Sequence, residues 1–218
     1  MTNSHMTTAI ALWLCPKPGS QIHETLTSLI SSLSPLFPTS PALEPHITIT
    51  SQLAINSPTD VETVLKGSLA ALREFKLSIL FNSMVVNDKN PYFKKVYIRC
   101  DKSKNLVSFS TIIREFYVEL PQLKDELQAK YKAQEWASDV LDPHISLIYT
   151  DLPHFDNALI RTMSTRVSDY LNCDDSFNVN VSDTLVDLGL GWSGGVLKIV
   201  RCEGPVEEWE VLGSADIH

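Results

Sequence analysis

Apolar and polar positions along this chain fall into alternating and helical patterns that can be read in order. Residues 9–15 are apolar throughout and stop at Pro16 and Pro18-Gly19, the pattern of a buried strand. From Gln21 to Leu33 the apolar positions Ile22, Leu26, Leu29, Ile30 and Leu33 have helical spacing, with Ser20 placed to cap the helix. Pro35, Pro38 and Pro41 then predict a non-helical loop. Ser57-Pro58 opens a second helix, expected to run to residue 75. Residues 76–86 and 92–100 read as two strands joined by the turn Asn87-Asp88-Lys89-Asn90-Pro91, a hairpin. Leu106, Phe109, Ile113, Phe116 and Tyr117 predict a helix over 106–120 that Pro121 breaks, followed by a polar surface excursion over 122–136. A last helix is expected over 157–171, and strands over about 177–188, 196–202 and 209–212. Four glycines around Trp192 (Gly189, Gly191, Gly194 and Gly195) read as a hairpin loop, since no helix follows to make a phosphate-binding turn. Strands and helices interleaved with hairpins predict an α+β fold with mostly antiparallel sheets.

Two hexamers stand apart from this background. Glu44-Pro45-His46-Ile47-Thr48-Ile49 recurs 98 residues later as Asp142-Pro143-His144-Ile145-Ser146-Leu147. On a strand, alternate side chains share a face, so His46 and Thr48 point one way and Ile47 and Ile49 the other. The second copy sorts His144 and Ser146 from Ile145 and Leu147 in the same manner. One such tetrad is an ordinary strand start, whereas two matched copies predict two related halves facing each other. Imidazole takes or gives a proton near neutral pH, so two histidines flanking a P–O bond can serve as base and acid. Thr48 and Ser146, on the same faces, can donate to non-bridging phosphoryl oxygens where transition-state charge gathers.

Neighbouring residues admit blander readings. Glu44 and Asp142 share strand parity with the histidines and can fix an imidazole tautomer, but a solvated acid at a strand start is the simpler reading. Lys94 and Lys95 read first as a solvated strand edge. Trp13 is either core or site lining, and Thr50 has the right parity but lies past the motif. Strict alternation places Tyr149, three residues after Ser146, on the face opposite the histidines. His23, His154 and His218 have no partner pattern. With no H-x-H or H-E-x-x-H arrangement, neither a metal nor any other cofactor is expected.

Composition narrows the class. Hydrophobic residues at 44% and charged residues at 20% are globular values. A formal charge of −8 argues against long nucleic acid, whose binding rests on Lys and Arg neutralising phosphates. A small phosphate ester needs only local donors. Residues 1–8, with a second methionine at Met6, are expected to lie outside the fold, leaving 9–218 as a single bilobal domain. No apolar run is long enough to enter a bilayer, so no membrane insertion is expected, and the chain reads as a soluble intracellular, cytoplasmic monomer. Cys15, Cys100, Cys173 and Cys202 are scattered and expected to be reduced.

The doubled H-x-[T/S]-x resembles the 2H phosphoesterase superfamily, and the stretches 9–13, 92–95 and 204–213 are similar to its fungal cyclic nucleotide phosphodiesterases. The resemblance implies two pseudo-symmetric lobes, each a small antiparallel sheet backed by helices, with His46 and His144 in the cleft between them. It further implies that Trp13 and Tyr149 lie beside the ligand, as in plant relatives, which requires a bend at the end of the second histidine strand. The implied activity is metal-independent hydrolysis of nucleoside 2′,3′-cyclic phosphates to 2′-phosphates, and of ADP-ribose 1″,2″-cyclic phosphate derived from tRNA splicing. Some fungal relatives are associated with the Golgi. The rival readings are a phosphodiesterase acting on RNA ends, such as a 2′-5′ RNA ligase-like enzyme, and a nucleotide-binding module without catalysis.

Overall fold

The computed structural model describes residues 9–74, 76–173 and 190–217. Among the described residues, eight strands form two four-stranded antiparallel sheets. The first runs in the order β2 (Ile47–Ser51), β1 (Ile10–Cys15), β7 (Gly195–Arg201) and β8 (Glu210–Ile217). The second runs β5 (His144–Ile148), β4 (Val96–Cys100), β3 (Ser78–Val86) and β6 (Gly191–Ser193). The expected α+β fold with two antiparallel sheets is therefore present, but the sheets are not contiguous halves of the chain. Strands β7 and β8, from the C-terminal end, complete the sheet begun by β1 and β2. Both histidine strands, β2 and β5, are the outer strands of their sheets, and they touch each other.

Helices cover the far sides of the sheets. Helix α1 (Gln21–Leu33) buries Leu26, Leu29, Ile30 and Leu33 and is capped by Ser20, whose hydroxyl accepts from the His23 amide. Helix α2 (Pro58–Ala71) starts at a reciprocal capping box between Ser57 and Asp60, and packs on β7 and β8. Helix α6 (Asn157–Leu171) occupies the residues expected of it, packing on α1 and β3. The apolar core spans both sheets, with Leu12, Leu14, Ile98 and Ile145 fully buried. Each such side chain contributes about 1.5–3 kcal/mol relative to exposure.

Five expectations need correction. Pro35 sits in a single 3₁₀ turn, Ser34–Leu36, where an early proline loses no hydrogen bond. The strand expected over 92–100 begins only at Val96, because Tyr92–Lys94 forms another 3₁₀ turn. Pro121 does not break its helix. Helix α3 (Lys104–Arg114) passes through a π turn, Glu115–Glu119, into α4 (Leu120–Leu123), and the Tyr117 carbonyl that proline leaves free accepts from the Ala54 amide at 2.9 Å. The supposed excursion contains α5 (Glu126–Asp139), whose buried stripe is only Ala129, Ala133 and Ala137 and so too weak to show as hydrophobic periodicity. The glycines around Trp192 do not form a hairpin loop: Gly191–Ser193 is strand β6 on the second sheet, and Gly194 carries the chain across to β7 on the first. The strand expected over 177–188 lies outside the described residues.

That crossing requires glycine. Gly195 has φ +118°, and a Cβ there would lie 2.2 Å from the Cys15 carbonyl oxygen on the neighbouring strand. Gly195→Ala is expected to cost at least about 1–3 kcal/mol through backbone strain, seen as a lower urea midpoint at unchanged slope; an unchanged midpoint would refute this account.

Candidate active site

His46 immediately precedes β2 and His144 opens β5. Each imidazole is held the same way. His46 Nδ1 lies 2.7 Å from the Glu44 carbonyl oxygen, and His144 Nδ1 lies 2.7 Å from the Asp142 carbonyl oxygen. A carbonyl only accepts, so both Nδ1 atoms carry their proton and donate, which leaves each Nε2 as the free nitrogen. Proline after the acid keeps the Glu44 and Asp142 backbones extended ahead of their strands, and this turns their carbonyls back toward the ring two residues on.

The two histidine strands carry matching β-bulges. Trp13 of β1 pairs with Thr48, but its neighbour Leu12 pairs with Thr50, so Ile49 is an extra residue. In the second sheet Tyr97 pairs with Ser146 and Val96 with Ile148, which makes Leu147 the extra residue. A bulge resets strand alternation. Thr50 thereby turns off the histidine face; it is 1% exposed, and Arg114 donates to its hydroxyl at 3.4 Å. Ile148 falls on the core side like Val96, and Tyr149 arrives on the histidine side. Strict alternation placed Tyr149 on the other face and Thr50 on this one; the bulges invert both.

A cavity of about 160 Å³ is lined by Ala11, Trp13, His46, Thr48, Tyr149 and Trp209, among others. Trp13 stacks on the His46 ring, with centroids 3.6 Å apart and planes 12° apart. It is also buried with Ala11, Cys15 and Val200, so it serves as both packing and site lining. Trp209, immediately before β8, approaches Trp13 at 5.9 Å and Tyr149 at 6.4 Å. Phe93, half of it exposed, meets Tyr149 edge-on at 5.1 Å and lies 6.4 Å from Trp209, so aromatic rings from both sheets ring the opening. His144 and Ser146 lie outside that cavity wall but adjoin it: the His144 charge bears on His46, and the Ser146 hydroxyl on Tyr149. Ser146 Oγ donates a long bond, 3.3 Å, to the Phe93 carbonyl. Tyr97, the register partner of Ser146, sets its ring against His144 at 5.1 Å.

Charged groups at the site are paired or buried. Glu44 forms an ion pair with Lys198, and Asp142 with Lys94. The expected solvated acids, Glu44 and Asp142, are about a third exposed but ion-paired, and of the expected solvated-edge lysines Lys94 is paired and Lys95 is buried. Lys95 is 7% exposed, and its ammonium donates to the Leu152 carbonyl. Burial pushes the His46 pKa down to about 4, with the His144 and Lys198 charges acting the same way. Burial also lowers that of His144, aided by Lys94. Cys15, Cys100 and Cys202 are free thiols, and burial pushes the Cys202 thiol, on the cavity wall, up to about 11. Among the described residues no group of three or more His, Cys, Asp or Glu side chains is arranged to hold a metal, and no helix is long and apolar enough to cross a membrane. Sequence reasoning missed Lys198, Trp209, Phe93 and Tyr97 as site residues. Only their aromatic or basic character signalled them, and nothing local distinguished them from other such residues.

A family model described as cyclic phosphodiesterase-like protein matches residues 6–217. The chain belongs to that family. Among its relatives, a protein of Saccharomyces cerevisiae is 35% identical over 244 residues, covering 96% of this chain and all of the relative. One of Debaryomyces hansenii is 38% identical, covering 88% of this chain and all of its own length. One of Yarrowia lipolytica is 35% identical, with coverage of 94% and 98%. All three are named 2′,3′-cyclic-nucleotide 3′-phosphodiesterase.

The buried imidazole of this cyclic phosphodiesterase-like chain links its stability to pH. His46 has a lower pKa folded, about 4, than unfolded, about 6.5. Its contribution is therefore complete above pH 6.5 and is lost as pH falls through 4, an effect of about 3 kcal/mol. His46→Gln is expected to lose markedly less stability than wild type between pH 7 and pH 4 in urea titrations. Equal losses in the two proteins would show that His46 is not buried uncharged.

Proposed function

We propose that this protein hydrolyses small cyclic phosphodiesters, nucleoside 2′,3′-cyclic phosphates first among them, with His46 and His144 as the proton-transfer pair. The observation that carries the reading is the convergence of two bulged edge strands. The two strands touch, and each carries an imidazole whose Nδ1 is held by a backbone carbonyl and, two residues on, a hydroxyl, which supports a shared site. The names of the fungal relatives support the substrate class. The aromatic rings of Trp13, Tyr149, Trp209 and Phe93 suit a nucleobase or sugar face.

In this mechanism neutral His46 Nε2 takes a proton from water as the water oxygen attacks phosphorus. His144, as imidazolium, gives its Nε2 proton to the departing 3′ oxygen as the P–O bond breaks, leaving the 2′-phosphate. The base role falls to His46 because it is the more deeply buried imidazole and the one driven furthest toward the neutral form. Thr48 and Ser146 donate to the non-bridging oxygens as charge accumulates there. ADP-ribose 1″,2″-cyclic phosphate carries the same five-membered ring on vicinal oxygens and is the second substrate of this reading, which connects it to by-products of tRNA splicing.

His46→Ala and His144→Ala are each expected to lower kcat by about 10²–10⁴ at retained fold, measured on adenosine 2′,3′-cyclic phosphate with and without chelator. The kcat/KM profile should be a bell on the acid side of neutrality. Activity is lost as pH falls through the His46 pKa near 4, because the base becomes protonated, and as pH rises through the lowered His144 pKa, because the acid loses its proton. Near wild-type turnover in either variant, or a metal requirement, would overturn the mechanism.

Thr48→Val and Ser146→Ala should lower kcat about 10²–10³-fold with little change in KM, because a donor aimed at developing charge acts in the transition state. A rise in KM alone would mean that the hydroxyls bind ground and transition states equally.

A further inference from the structure

The carbonyl acceptors that hold the two imidazoles belong to the same residues whose carboxylates are ion-paired. Glu44 accepts the His46 Nδ1–H through its backbone and binds Lys198 through its side chain. Asp142 does the same for His144 and Lys94. The lysines come from different places. Lys198 lies on β7, in register with Trp13. The equivalent position in the second sheet, in register with Tyr97 on β3, is Val85. Lys94 instead comes from the 3₁₀ turn ahead of β4. The pairing is thus built twice by different routes and does not follow from the repeated strands alone.

Each lysine also meets its histidine's aromatic neighbour. Trp13, beside Lys198, stacks on His46, and the Lys94 ammonium sits 5.6 Å from the centre of the Tyr97 ring that touches His144. The pairs are partly solvated, with side-chain exposures of 17% and 33% for Lys198 and Glu44, and 32% and 38% for Lys94 and Asp142. Such pairs contribute about 0–1 kcal/mol to stability, too little to explain two of them.

We propose that Glu44–Lys198 and Asp142–Lys94 are two independently built positioning pairs, each fixing the carbonyl that sets the tautomer and aim of its histidine. This rests on the two-histidine reading of function. Other charged or titratable groups are near both rings. Around His46 these are Glu44, Lys198 and His144, and near Glu44 and Lys198 lies Cys15, whose thiol burial pushes up to about 12. Around His144 they are Asp142, Lys94, Tyr97, the register partner Arg99, and Cys100 near Asp142. Removing a lysine leaves its carboxylate unbalanced beside the imidazole, which favours the protonated ring.

The test combines ¹⁵N-histidine NMR with kinetics on adenosine 2′,3′-cyclic phosphate, using Lys198→Met, Lys94→Met and the corresponding Lys→Arg variants of the full chain. In wild type both rings should show the Nδ1-protonated neutral tautomer. Lys198→Met should give mixed tautomers and a higher pKa at His46 only, and Lys94→Met the same at His144 only. In each Met variant kcat should fall roughly tenfold to a hundredfold, the range seen for hydrogen-bond partners of metal-ligating histidines, with KM within about twofold and recovery in the Arg variant. The two variants should move opposite limbs of the kcat/KM bell, both toward higher pH. Should a Met variant fail to fold by thermal melting, Glu44→Gln or Asp142→Asn breaks the same pair at constant size; the tautomer, kcat and KM readouts are the same, but the ring pKa and its limb of the bell should move to lower pH, because the lysine is then the unbalanced charge. Unchanged tautomers and ring pKa values, or a rise in KM alone, would overturn the proposal. Tautomer changes in variants whose histidines prove dispensable for turnover would uphold the pairs and refute the two-histidine mechanism instead.

Discussion

Each half of the site depends on one hydrogen bond, from an imidazole Nδ1–H to the backbone carbonyl two residues earlier, 2.7 Å long in both halves. Without it neither ring has a fixed tautomer, and Nε2 is not committed to the cleft. The bond needs an extended acid-proline dipeptide just ahead of a strand, and such a dipeptide fits where no ladder partner is required on one side. Both histidine strands are outer strands, β2 and β5, which meets that need. The architecture of two sheets presenting their outer strands to each other is in this sense a consequence of how the histidines are held.

The matched bulges at Ile49 and Leu147 make the motif more than a pair of alternating strands. Each directs two consecutive residues away from the cleft and returns the next one to it: Ser51 on one side, Tyr149 on the other, both on the cavity wall. The strand ends thus contribute a small hydroxyl and a large aromatic ring at equivalent positions, so a symmetric backbone presents an asymmetric wall. Trp209, just ahead of the last strand of the first sheet, adds to this asymmetry.

Electrostatics at the cleft run against the protein as a whole. The chain has a formal charge of −8, yet each acid beside a histidine is balanced by a lysine, Glu44 by Lys198 and Asp142 by Lys94. Burial dominates the imidazole pKa shifts and the lysines act in the same direction, so both rings are biased toward the neutral form. An anionic phosphodiester entering such a site meets donors without first displacing a carboxylate, because Glu44 and Asp142 are already paired.

The sequence by itself determined the local elements and the repeated motif they carry. Helices 21–33 and 157–171 were legible to the residue because strong apolar periodicity coincided with capping side chains. The tetrads His46–Thr48 and His144–Ser146 were legible because repetition at matched parity is hard to produce by packing alone. Tertiary structure decided the rest, wherever a long-range partner overrode a local rule. The helix through Pro121 continues because Ala54, far away in sequence, takes the orphaned carbonyl of Tyr117. The alanine stripe of α5 is apolar only in contact with its neighbours. Tyr149 and Thr50 exchanged faces because bulges belong to strand pairs and leave no mark in one strand's alternation. Lys198 reached Glu44, 154 residues away, because β7 returned to the first sheet. Sequence periodicity reports which face a residue takes relative to its neighbours in the chain; which residues meet across a cleft is set by strand order, and that is fixed only when the sheets assemble.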